Sequence, residues 1–161
     1  MVSAMESANS AEARLAALGI KLPDAPKPLG AYVPAVQSGS LLFLSGMLPL
    51  VNDRPLMEGR IGAGLDLEAG RAAAHAACLN ALAVARAHLG SLDRVTRIVR
   101  LGVAIAAADQ FREHPQLADA ASTLLEDVFG KEKTSTRIIV GVTNLPMGMP
   151  VALELIFEVQ P

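Results

Sequence analysis

The sequence predicts an α+β fold, a mixed β-sheet covered on one face by two helices. Three observations lead there. Two alanine-rich stretches, 67–89 and 115–130, carry start and stop residues where helices need them. Five shorter runs alternate side chains with the period of a strand. The resulting order is β-β-α-β-α-β-β, and two helices suffice to cover only one face of such a sheet.

The elements follow in order. In SAEARLAALGIKLPD, Ser10 can cap a short helix, Leu15 and Leu18 share a face, Gly19 ends it and Pro23 prevents resumption. Pro26, Pro28 and Pro34 mark an extended lead-in, so residues 1–27 read as a helical extension and linker before one domain, 28–161. Residues 32–36 and 40–45, separated by Ser38 and Gly39, predict a hairpin. Residues 48–64, rich in Gly, Pro and Asn-Asp, predict little regular structure. Asp66 caps the long helix and Gly90 closes it, with Cys78, Leu79, Leu82 and Leu89 near one side. After a capped turn at 91–95, TRIVRLGVAIA alternates as a strand. Pro115 and Gly130 bracket the second helix. Two strands finish the chain, 135–143 and 151–159, and a turn near Leu145 and Pro146 would pair them antiparallel.

A chain of 161 residues, 52% hydrophobic and 19% charged, is most simply one domain with a substantial core. A net charge of −2 and an aromatic content of 3% disfavour nucleic acid as a partner. The single cysteine and an N-terminus without a signal-peptide pattern point to a reducing, cytoplasmic setting. Residues 28–52 carry no charge, but Pro34, Gly39, Gly46 and Pro49 interrupt any membrane helix. Apolar residues on both faces of the strands, with helices for only one, predict packing against copies of the same chain.

Several motifs have bland explanations. GAGLDLEAG places Leu67 where a dinucleotide fingerprint needs its third glycine. Cys78 sits among alanines with no polar neighbour to lower its pKa, which suits a core cysteine. His75, His88 and His114 lack the spacing of a zinc site, and no histidine or acid completes a triad around Ser45. No metal or cofactor is expected. Arg137 is different, because it is a guanidinium in a strand that otherwise reads as core. With the last two strands paired, Glu154 would lie opposite it, giving either a structural ion pair or an anchor for a ligand carboxylate.

Tyr32 in PLGAYVPAV, Ser45-Gly46 in LFLSGMLP, Asn80, GSLDRVTRIVRL, Arg137 in STRIIVGVTNLP and Glu154 in VALELIFEV together resemble the RidA (YjgF) family, also labelled the L-PSP endoribonuclease family. The resemblance spans about residues 28–159 and is closest to a longer subgroup with an N-terminal helical extension. It implies a chorismate-mutase-like fold in a barrel-centred homotrimer with intersubunit clefts, and cofactor-free hydrolysis of enamines and imines such as 2-aminoacrylate to 2-keto acids and ammonia. By the same resemblance, Arg137 holds the substrate carboxylate, Glu154 is associated with the hydrolytic water, and Tyr32, Ser45, Gly46 and Ile139 line the cleft. Ile139, Met47 and Gly141 replace residues that are more polar or larger in typical members. The rival class is a non-catalytic trimer binding keto or amino acids, and a third is an endoribonuclease.

Overall fold

The computed structural model describes residues 9–161. Helix α1 (Ala11–Ala17) starts at Ser10, whose hydroxyl accepts the Ala13 amide at 3.2 Å. It is held to the domain by Glu12, which receives Arg86 through two nitrogens at 2.8 and 3.1 Å and the Leu92 amide at 2.9 Å. Leu15 is buried beneath it, whereas Leu18, just past its end, is exposed and does not share that role.

Strands β1 (Ala35–Ser38) and β2 (Leu41–Leu44) form the expected hairpin. The segment after it is more ordered than its composition suggests. It contains four two-residue strands, β3 (Leu50–Val51), β4 (Arg54–Pro55), β5 (Arg60–Ile61) and β6 (Gly64–Leu65). Asn52 and Asp53 both have positive φ, 52° and 60°, which turns β3 into β4. Asn80, buried in the long helix, donates through Nδ2 to the carbonyls of Leu48 and Leu50 at 2.9 Å each and so ties this segment down.

Helix α2 (Leu67–Leu89) begins with the Asp66 side chain accepting the Ala69 amide at 2.8 Å and ends at Gly90 with φ 83°. Its alanines permit close packing on the sheet and on α3 (His114–Phe129). Strand β7 (Val95–Ala106) precedes α3, and β8 (Thr136–Val142) and β9 (Val151–Val159) follow it.

The sheet runs β1-β2-β9-β7-β8. This corrects the terminal hairpin: β9 pairs antiparallel with β2 and β7, and β8 pairs parallel with β7 at the edge. The reason is physical. Helix α3 provides the long crossover that a parallel β7–β8 pair requires. Strand β9 buries Val151, Leu153, Leu155, Phe157 and Val159 on the helix side and gains most from a central position, while β8, with Thr136 and Arg137, tolerates an edge.

Helices α2 and α3 cover one face of the sheet. On the other face Val36, Phe43, Ile138 and Val140 are each exposed by 40% or more. None of the described helices is long and apolar enough to cross a membrane.

Candidate functional site

Register decides where each predicted residue lies. Arg137 stands beside Leu101, which stands beside Leu155, and those two are buried on the helix side. Glu154 stands beside Gly102, which stands beside Ile138, so it belongs to the open face. Alternation therefore puts Arg137 and Glu154 on opposite faces of the sheet within one chain. The expected Arg137–Glu154 juxtaposition does not form.

Each takes another partner. Glu154, its side chain 59% exposed, lies 3.6 Å from Nε of Arg100 on the open face. Arg137 reaches α3 instead. Its Nη1 donates to Asp119 Oδ1 at 2.7 Å and to Ser122 Oγ at 3.1 Å. Asp119 and Ser122 are three residues apart, so the helix presents both to the same strand. Both contacts use one nitrogen, and Nε of Arg137 donates to no acceptor among the described residues.

Around this guanidinium is a cavity of about 200 Å³, bounded by Ile98 and Leu125 at its base and by Asp119, Ser122, Glu126 and Ser135 at its polar wall. The Thr134 hydroxyl donates to the Lys131 carbonyl at 2.6 Å and lies 3.3 Å from Glu126 Oε1. The site thus has a planar cation with a free edge, two carboxylates, three hydroxyls and an apolar floor. That set suits a small molecule with a carboxylate at one end. Asp119, Ser122 and Glu126 escaped sequence reasoning. Their spacing on the polar side of α3 was available, but which strand that side faces depends on the parallel β7–β8 pairing.

The other predicted residues lie elsewhere. Ile139 is on the same side of β8 as Arg137, two residues on, half-buried against the core. Tyr32 is exposed and its hydroxyl accepts the Leu29 amide at 3.0 Å. Ser45 donates through Oγ to the Val33 carbonyl at 2.6 Å, fixing the strand end beside Gly46. Tyr32 and Gly46 share a crevice with Pro34, Met47 and Leu48. This group belongs to the β1–β2 side of the sheet, and Arg137 to the β8 edge, about 14 to 19 Å away by three to four strand spacings. One chain does not bring them together.

Cys78 is buried, and desolvation pushes its thiol from 9.0 up to about 12, which suits a core residue and not a nucleophile. Among the described residues, no group of three or more His, Cys, Asp or Glu is placed to hold a metal ion.

With this geometry in hand, the chain can be set beside known proteins. Residues 12–159 match the family model described as "YjgF/chorismate_mutase-like, putative endoribonuclease". The chain belongs to that family. This YjgF-family chain is 42% identical over 147 residues to Protein TCP17 of Trypanosoma cruzi, covering 91% of the chain and 92% of that protein. Its fold is similar to that of a "putative endoribonuclease" from Shewanella oneidensis, with TM-score 0.89 and 34% identity over 94% of this chain and 100% of the other. It is similar also to Atu1372 of Agrobacterium tumefaciens, a protein of unknown function, with TM-score 0.85 and 32% identity over 93% and 92% of the two chains. These matches extend the RidA (YjgF) resemblance to the whole fold, the N-terminal helix included.

Proposed function

We propose that the protein hydrolyses reactive 2-imino and enamine acids to 2-keto acids and ammonia, in clefts between subunits of a homotrimer. The observation that carries this reading is Arg137, whose Nη1 is held by Asp119 and Ser122 while its Nε edge is open to a substrate carboxylate. An imine carbon is already electrophilic, so a site needs to orient the carboxylate, deliver a water and protonate the leaving nitrogen. No redox or covalent group is required for that step.

The trimer is part of the same reading. The exposed Val36, Phe43, Ile138 and Val140 on the uncovered face favour a second copy of the sheet against it. Closing a ring of sheets brings the β1–β2 edge of one copy, with Tyr32, Ser45 and Gly46, towards the β8 edge of the next, with Arg137 and Ile139. Glu154, on the open face, then serves the water from across the subunit boundary. Sedimentation at micromolar concentration is expected to give a trimer, and a stable folded monomer would remove the cleft.

The decisive assay is keto-acid release from enzymatically generated 2-iminobutanoate and 2-iminopropanoate, compared with buffer. A second reading, a trimer that binds keto or amino acids without turning them over, is favoured by one observation: the acid nearest Arg137 is Asp119, whose Oδ1 already accepts from the guanidinium at 2.7 Å and is occupied in holding it. Release no faster than in buffer, together with binding of 2-oxobutanoate that requires Arg137, would establish the second reading in place of the first.

A further inference from the structure

A second group of basic residues lies around the far end of the same strand, away from the proposed deaminase site. Four residues beyond Arg137, about 13 Å along β8, Gly141 faces the start of α3. A Cβ built on Gly141 would fall 3.1 Å from His114 Nε2, so the imidazole edge occupies the space a side chain would take. Beside it is a cavity of about 300 Å³ between the end of β8, the loop at 107–113 and β5, lined by Arg60, Asp109, Arg112, His114, Gly141 and Thr143 among others.

The walls are preorganised. Arg60 Nη2 donates to the Ala107 carbonyl, and the Ala108 amide donates to the Ile61 carbonyl at 2.8 Å, so β5 and the loop are tied together. Arg112 Nη1 is folded back on the carbonyls of Asp109 and Phe111. The Phe111 ring packs on His114 with centroids 4.8 Å apart, which holds the imidazole in place. The charges, however, are not balanced. Arg60 and Arg112 form no ion pair among the described residues, and Asp109 is the single carboxylate of the lining. Arg60 Nε is shut off from solvent and meets no acceptor, so an anion would reach this guanidinium through its terminal nitrogens. A partly buried guanidinium without a counter-charge is costly unless an anion joins it.

We propose that this cavity binds a small oxyanion, a phosphate or a carboxylate group, through Arg60, Arg112, His114 and the Thr143 hydroxyl. The proposal is independent of the deaminase reading, since none of these residues lines the Arg137 cavity. The absence of a side chain at Gly141 makes room for the imidazole at the cavity wall.

The test uses the intact protein and the imidazole resonances of its three histidines, His75, His88 and His114. Inorganic phosphate and sodium acetate are titrated in separate arms at constant ionic strength and pH. A saturable shift confined to His114 is expected in at least one arm, and the arm that saturates names the ligand class. Arg112 is exposed, so Arg112→Gln should fold normally while weakening that response about tenfold or more. The proposal is overturned if His114 fails to saturate in both arms, if all three histidines move together, or if Arg112→Gln titrates like the wild type.

Discussion

Replacing Arg137 by alanine separates a ligand anchor from a structural ion pair, and the structure supplies the magnitudes. Had Arg137 been paired with a buried carboxylate, removing it would leave an uncompensated charge and cost about 3–5 kcal/mol. Its actual partner is solvated: the Arg137 side chain is 26% exposed and that of Asp119 54%. Screening reduces such a pair to about 0.5–1 kcal/mol. For a chain of this size that lowers Tm by roughly 1–4 °C. The ligand side is larger, because a hydrogen bond between charged groups contributes about 1.5–3 kcal/mol. Loss of the anchor should therefore lower kcat/KM for carboxylate-bearing imines about 10- to 150-fold. Arg137→Lys should recover little, since an ammonium cannot present a planar edge while also holding Asp119 and Ser122. The measurements are thermal unfolding and keto-acid release on the same preparations. A Tm fall of roughly 10 °C with unchanged kcat/KM would show that Arg137 is structural and refute the anchor assignment.

Three further outcomes are expected. Glu154→Gln should lower kcat more than binding, because it keeps shape and loses basicity; if Glu126→Gln does so instead, the water belongs to the acid in the chain's own cavity. Gly70→Ala should be destabilising by about 1 kcal/mol in denaturant titration, the helix-propensity gain of about 1 being exceeded by overpacking of about 1–3, since the new Cβ would fall 2.2 Å from Leu117 Cδ1 and 3.0 Å from Ile61 Cδ1. Cys78 should resist alkylation at pH 8 until the protein unfolds. Its folded-state pKa of about 12 lies above the unfolded 9.0, so the folded state retains a proton the unfolded chain loses; this contribution to stability is complete below about pH 9 and disappears as pH rises towards 12. Cys78→Ala should flatten that alkaline decline in unfolding experiments.

Much of this molecule was legible in local chemistry. Asp66 and Gly90 end the long helix where their backbone preferences require, and the β1–β2 hairpin turns at Gly39 and Ser40, one residue later than expected. Such signals act within a few residues and survive without knowledge of the rest of the chain. The short strands at 50–65 were not legible, because they depend on long-range anchors such as the Asn80 amide. The candidate site was half legible: Arg137 stood out as a cation among apolar neighbours, while its true partners did not.

What the sequence by itself determined is the set of elements, their two-faced patterns and the residue types able to hold a carboxylate. The tertiary structure decided which strand lies beside which. By seating β9 between β2 and β7, it sent Glu154 to the open face and turned Arg137 towards Asp119 and Ser122. Side-chain alternation is a property of one strand, but the order of strands is set by competition among all of them for the buried centre of the sheet. That competition is global, and no local pattern encodes its outcome.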